Sequence, residues 1–100
     1  MDLETIAMGL IGNAGEGKSL AFEALALAKK KDFENARKKL QEAQSKMYEA
    51  HHIQTELIVR EADGDKIEMN LILIHAQDHL MNALLAKELI AEMIELYEKI

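Results

Sequence analysis

The chain is 100 residues long, 49% hydrophobic and 30% charged, with 18 acidic residues against 12 basic ones and a net charge of -6 at pH 7. With no Pro, no Cys and five Gly, this composition excludes collagen-like repeats, disorder, a disulfide scaffold, a thiolate zinc site and cysteine nucleophiles. The acidic balance argues against nonspecific binding to nucleic acid or anionic membrane, because both need clustered Lys and Arg, and it favours partners with basic docking surfaces.

Residues 1–100 read as one domain, since no composition shift or repeat divides them. Frequent Ala, Leu, Glu and Lys with only two Phe and two Tyr favour helix over sheet. A chain of this size buries a modest core, so association with further copies is expected. The start, Met1-Asp2-Leu3-Glu4, lacks a basic region followed by a cleavable apolar stretch, and a cytoplasmic location is the resulting expectation.

Three helices are predicted. The first runs from about Leu3 to Lys31, with Leu3, Ile6, Leu10, Leu20, Ala21, Ala24, Leu25 and Ala28 recurring mostly three or four apart. Gly12, Gly15 and Gly17 each cost about 1 kcal/mol relative to Ala in a helix interior, so a bend or break is expected there. Asp32 can cap the second helix, whose apolar stripe carries Phe33, Ala36, Leu40, Ala43, Met47, Ala50, Leu57 and Ile58, with Gln54 as its one polar member. Gly64 within Ala62-Asp63-Gly64-Asp65 ends that helix. Asp65, with Glu68 three residues on, forms a candidate capping box for a third helix from about Lys66 to the end.

The third helix carries the chemistry. At about 100° per residue, Leu71, Ile74, Met81 and Leu85 share one face, and Leu73, Leu80 and Leu84 share a second face roughly 120° away. A three-helix protomer covers one such face, so the other is expected to meet another copy. Asn70, His75, Gln77, Asp78, His79 and Asn82 argue against a membrane span.

Asp78 lies inside the first of these stripes, where an unpaired carboxylate is costly to bury. Copies converging on a symmetry axis at about 4 Å would repel by about 4 kcal/mol per pair at an effective dielectric of about 20. A bound divalent cation, shared protons, or a Lys or Arg from another helix would each relieve that conflict. His75 and His79, at i and i+4, project from one side and can meet a common ligand. Zinc binding, general acid/base work and phosphoryl acceptance by one ring with a hydrogen bond from the other all suit the pair, as does a purely structural hydrogen bond. A non-catalytic helical oligomer holding a metal through His75, Asp78 and His79 is the alternative reading. On the second helix, His51 and Gln54 share a face and could line the same site, while His52 points to solvent.

Gly12-Asn13-Ala14-Gly15-Glu16-Gly17-Lys18-Ser19 formally satisfies G-x-x-x-x-G-K-[ST]. A working phosphate loop needs a parallel sheet around it, and the remaining residues read as helix. A glycine-rich helix is therefore expected at this position, and no nucleotide site.

The run His75-Ala76-Gln77-Asp78-His79-Leu80-Met81, with Ala50-His51-His52-Ile53-Gln54-Thr55-Glu56-Leu57 upstream, resembles the lactose/cellobiose-type enzyme IIA components of the bacterial sugar phosphotransferase system. The resemblance extends over nearly the whole chain, to the closing Leu96-Tyr97-Glu98-Lys99. It departs at Ala14-Gly15-Glu16-Gly17-Lys18-Ser19, where the family is expected to read Ala-Gly-Asp-Ala-Arg-Ser; the changes at Gly17 and Lys18 create the loop lookalike. The resemblance implies an all-α antiparallel three-helix bundle assembling into a homotrimer. It implies a phosphotransferase component in which His75 accepts a phosphoryl group, with His79 and Gln54 in supporting roles. Asp78 matches the residue that gathers round a divalent metal ion, Mg2+ by expectation, on the trimer axis. The implied partners are the phosphocarrier HPr and a cysteine of the cognate IIB component, with no direct contact to sugar or membrane. Ala76, where lactose-type members are expected to carry Gly, tilts the sugar toward cellobiose or chitobiose.

Overall fold

The computed structural model describes residues 2–100, and Met1 lies outside them. Three helices fill it, α1 (Leu3–Lys29), α2 (Phe33–Ala62) and α3 (Leu71–Lys99), with no strand among the described residues. They form an up-down-up bundle measuring 51 × 20 × 18 Å, in which α1 lies against both neighbours along its length and α2 meets α3 over a shorter stretch.

A seven-residue repeat explains the packing. On α1 the buried positions are Ala7, Leu10, Ala14, Gly17, Ala21, Ala24 and Ala28, spaced alternately three and four apart without a gap. The α2 interior repeats in the same way through Ala36, Ala43, Ala50 and Leu57, with Met47 and Gln54 between them. On α3 the inward row is Leu73, Ala76, Leu80, Ala83, Ile90 and Ile94. This is the spacing that keeps a seam facing its neighbours in a left-handed bundle. Because so many of these side chains are alanine, the helix backbones approach closely. At Gly17 a Cβ would lie 2.8 Å from Met47 Cγ and 3.2 Å from the Ala43 carbonyl oxygen, so only glycine fits that crossing.

The glycines therefore neither bend nor break α1: the helix is continuous from Leu3 to Lys29, and residues 12–19 lie in its middle turns. The expected interruption fails because Gly17 is required by close packing, which outweighs its low propensity, and the phosphate-loop lookalike has no loop to form.

Both turns use one device. At the end of α2, Gly64 (φ +97°) puts its N–H on the Glu61 carbonyl at 3.1 Å and Asp65 donates to Arg60 at 3.0 Å. At the end of α1, Lys31 (φ +66°) donates to Ala28 at 2.9 Å and Asp32 to Leu27 at 3.0 Å. These are paired 6→1 and 5→2 closures around a left-handed residue. Asp32 then caps α2 by accepting from the Asn35 N–H. Asp2 caps α1, and its hydrogen bond from the Thr5 hydroxyl holds the carboxyl below the usual aspartate range. Interhelical pairs Lys39–Glu23, Lys46–Glu16 and Arg37–Glu98 tie α2 to α1 and α3 at the surface, where each contributes at most about 1 kcal/mol.

The third helix begins five residues later than the capping-box reading places it. Asn70, in an extended conformation, accepts from Leu73 N–H at 2.8 Å and is the cap. Asp65 is already engaged in closing α2, and Ile67 packs against the core, which holds the intervening segment irregular. Ile58, read as a core residue, is 59% exposed.

Lys31 occupies the left-handed position that Gly64 occupies in the equivalent turn, at a cost for an L side chain of about 1 kcal/mol. Lys31→Gly is expected to raise unfolding stability by about 1 kcal/mol, measured by urea denaturation at fixed protein concentration; an unchanged or lower stability would refute this account of the turn.

Candidate functional site

The Asn70 cap starts α3 so that His75 falls in its second turn, exposed, and His79 one turn further on, half-buried. The helix repeat brings the rings together: Nε2 of His75 and Nε2 of His79 are 3.0 Å apart, the ring centroids are 4.4 Å apart and the planes meet at 88°. An Nε2···Nε2 hydrogen bond needs one ring to carry its proton on Nε2 and the other to present a lone pair there. The rings are thus held as a donor and an acceptor. His75 also opens onto an apolar recess of about 430 Å³ with Leu71 and Ile72.

Asp78 sits beside the pair but does not join it. Its Oδ1 accepts from Asn82 Nδ2 at 3.1 Å, and among the described residues no Lys or Arg comes within ion-pair distance. The protomer therefore supplies no cation from another helix. Nor do His75, Asp78 and His79 gather into a three-ligand metal site, since no group of three such side chains converges among the described residues. What surrounds Asp78 is the uncovered apolar face: Leu71 is 82% exposed, and Ile74, Met81 and Leu85 are more than half exposed, whereas Leu73 and Leu80 on the other face are buried. The protomer covers one of the two faces of α3.

Among the described residues Gln54 is the one buried polar side chain, as its place in the α2 stripe implies. Its Nε2 donates to Gln77 Oε1 at 3.4 Å and lies 3.9 Å from Met81 Sδ, across the α2–α3 boundary, and it makes no hydrogen bond to either histidine of α3 among the described residues. His51 is exposed and lines a separate groove with Met47, Tyr48, Leu84 and Lys87, so it does not share the His75 recess. His52 faces solvent beside Glu56, at 3.5 Å. Two contacts were not anticipated from the sequence, Gln77 with Gln54 and Asn82 with Asp78. The second was readable, because Asn82 stands four residues after Asp78 on the same face.

A hydrogen-bonded histidine pair on an exposed, largely apolar helix face can present a ring lone pair with an N–H donor beside it. The family model described as "PTS system, Lactose/Cellobiose specific IIA subunit" matches residues 5–98. The chain belongs to this family.

Among relatives of this IIA chain, the lichenan-specific phosphotransferase enzyme IIA component of Bacillus subtilis is 56% identical over 99 residues, covering 99% of this chain and 90% of that protein. The crystal structure of the cellobiose-specific enzyme IIA from Bacillus anthracis superposes with a TM-score of 0.94 at 49% identity, covering 99% of this chain and 91% of that one. The IIA(chitobiose) chain solved in complex with HPr from Escherichia coli superposes with a TM-score of 0.85 at 46% identity, covering 99% and 96%. The all-α three-helix reading holds, and the protein is a phosphotransferase component. Among the described residues no helix is long and apolar enough to cross a membrane.

The pair makes a spectroscopic prediction. In 15N-detected imidazole spectra taken where both rings are neutral, His75 and His79 should show opposite tautomers, one Nδ1–H and one Nε2–H. His79→Ala should release His75 to a mixture of tautomers, and an unchanged His75 spectrum would contradict the Nε2···Nε2 bond.

Proposed function

We propose that this IIA component is a phosphohistidine carrier: Nε2 of His75 takes a phosphoryl group from phospho-HPr and gives it to a cysteine of the cognate IIB component. The observation that carries this reading is the exposed His75 with His79 Nε2 only 3.0 Å away, in a chain of this family. When His79 is the donor, the His75 Nε2 is unprotonated, and its lone pair attacks phosphorus once the His79 N–H gives way. The new N–P bond forms as the bond to the donor protein breaks, and His75 need not lose a proton. The His79 N–H, displaced from the lone pair, then turns to a phosphoryl oxygen. In the second step the IIB thiolate attacks phosphorus and His75 leaves as neutral imidazole. Gln54 supports the site from behind through Gln77 on α3.

No Lys or Arg occurs between Ile67 and Ala86, so the contacts available from this stretch of α3 are neutral donors. Neutral donors hold a phosphoryl group less tightly than cationic forks and leave transfer reversible.

The carrier works as a homotrimer in the cytoplasm, with the uncovered face of α3 turned to the threefold axis. Burying that face removes the exposed Leu71, Ile74, Met81 and Leu85 from water. It also brings three Asp78 carboxylates together. Their donor set is hard oxygen only, and Oδ1 of each is already steadied by Asn82, which fits a divalent cation such as Mg2+. Such an ion would neutralise the three charges; the transfer chemistry belongs to His75. The transported sugar, which IIA does not touch, is a disaccharide of the cellobiose or chitobiose kind in preference to lactose, in keeping with Ala76 and with the similarity to the relatives above.

His75→Gln, incubated with phosphoenolpyruvate, enzyme I and HPr, should incorporate no acid-labile phosphate, while His79→Ala should slow the transfer by about a hundredfold, the lower end of what a positioned donor contributes. Uptake by His75→Gln at the wild-type level would refute the assignment.

For the axial carboxylates, Asp78→Leu in metal-free buffer should remain trimeric at concentrations where the wild type dissociates, because a cluster of buried like charges is replaced by apolar contacts. Sedimentation velocity reads the outcome, and a monomeric Asp78→Leu protein would rule the cluster out.

A further inference from the structure

The same two nitrogens that carry the chemistry are spaced for a second ligand. We propose that His75 and His79 form a two-imidazole chelate for a borderline divalent cation of the Zn2+ class, one per protomer, and that an occupied chelate excludes the phosphoryl group. The exclusion half rests on the carrier role of His75; the chelate half rests on geometry alone.

The two Nε2 atoms are 3.0 Å apart. A tetrahedral zinc with Zn–N bonds of about 2.0–2.1 Å sets its two nitrogens about 3.3–3.4 Å apart. The rings must therefore separate by only about 0.3–0.4 Å, with each lone pair brought to about 35° off the N–N line toward the metal, which χ rotations of the two side chains provide. The i, i+4 spacing on a continuous helix holds both rings on one side before the metal arrives, so little ordering remains to be done on binding. The proton count is simple: the ring that carries its proton on Nε2 moves it to Nδ1 through solvent, so a neutral pair binds the cation without releasing a proton. Asp78 stays with Asn82, leaving the remaining positions of the ion to water. The site is consequently open, reversible and selective for ions that favour imidazole, whereas Mg2+ and Ca2+ favour the oxygen donors of Asp78.

The other two histidines show why this pair is distinct. His51 and His52 are adjacent, point about 100° apart round α2 and cannot share an ion. His52 is engaged with Glu56 at 3.5 Å. Once an ion sits between His75 and His79, neither Nε2 has a lone pair to offer, and the donor that would steady the phosphoryl group is lost with it.

The test is a Zn2+ titration of the EDTA-treated, dialysed protein by isothermal calorimetry, with purified phospho-HPr as the phosphoryl donor in a parallel uptake assay. The titration should give one Zn2+ per protomer. His79→Ala should weaken this binding at least tenfold, and His52→Ala should leave it unchanged. Stoichiometric Zn2+ should abolish uptake by the wild type, and EDTA should restore it. A titration that saturates at one ion per three protomers, or one unaffected by His79→Ala, would overturn the chelate. Full uptake with the per-protomer site saturated would overturn the exclusion. Absence of uptake in zinc-free buffer would instead count against the carrier role, and the titration would still judge the chelate.

Discussion

A helix with two apolar faces cannot be satisfied by the two neighbours it has in a three-helix bundle, and α3 is such a helix. Its inward row, Leu73, Ala76, Leu80, Ala83, Ile90 and Ile94, is used up in closing the protomer. Its outward row, Leu71, Ile74, Met81, Leu85, Leu89, Met93 and Leu96, stays half or more exposed apart from Met93, at 41%. Burial of an apolar side chain is worth about 1.5–3 kcal/mol, so leaving several in water on one small protein is a standing free-energy cost that association would remove. The placement of Asp78 and the histidines follows from that constraint. On a helix with one apolar face, residues opposite the core lie on an ordinary solvated surface. Here Asp78 lies in the uncovered row and His75 and His79 along its edge, where a dry seam and open water would meet.

The heptad pattern of small residues determines how firmly the pair is held. Alanine at Ala7, Ala14, Ala21 and Ala28 on α1, and at Ala36, Ala43 and Ala50 on α2, leaves few rotamers to rearrange, and Gly17 fixes the depth at which α1 meets α2. Position along α3 is then governed by the Asn70 cap and by Leu73 and Ala76 seated in the core immediately before and after His75. A side chain placed by backbone packing needs no further loop to aim it.

Most of this was legible in the sequence because helical periodicity is a repeated signal: the three helices, the Gly64 stop, the polar Gln54 in the α2 stripe and the two faces of α3 each rest on several residues. Two of the readings that failed rested on one local motif each. Asp65 with Glu68 has the form of a capping box, yet the Asp65 amide closes the preceding helix, and Asn70, with no acidic partner three residues on, caps α3 instead. Gly12, Gly15 and Gly17 predicted a weak α1 because propensity is a property of isolated helices, and the Met47 and Ala43 contacts that require Gly17 are made by another helix. For the site, spacing alone brought His75 to His79 and left metal binding, acid/base work and phosphoryl acceptance open; the phosphoryl role proposed for His75 rests on membership of the family. Spacing also allowed His51 a place beside His75, but the fold sets His51 in a separate groove with Met47, Tyr48 and Leu84. The Gln54–Gln77 contact crosses two helices and had no sequence signal.

Two imidazoles meeting through Nε2 sit at a balance between two demands. A carrier must bind the phosphoryl group well enough to accept it and weakly enough to release it, which favours a neutral nucleophile with a neutral donor over a cationic clamp. A Lys in place of His79 would strengthen the hold on phosphate and remove the metal ligand, at the expense of onward transfer. A Gln there would retain an N–H donor and likewise remove the ligand, but its amide could rotate to present oxygen to the phosphate. Histidine alone offers an N–H on a rigid ring, aimed by the helix at the neighbouring Nε2. That rigidity makes the pair a suitable cradle for a passing phosphoryl group, and it is also the preorganisation a chelating metal requires. On the proposed carrier role, susceptibility to imidazole-seeking cations would come with this way of holding a reversible phosphohistidine.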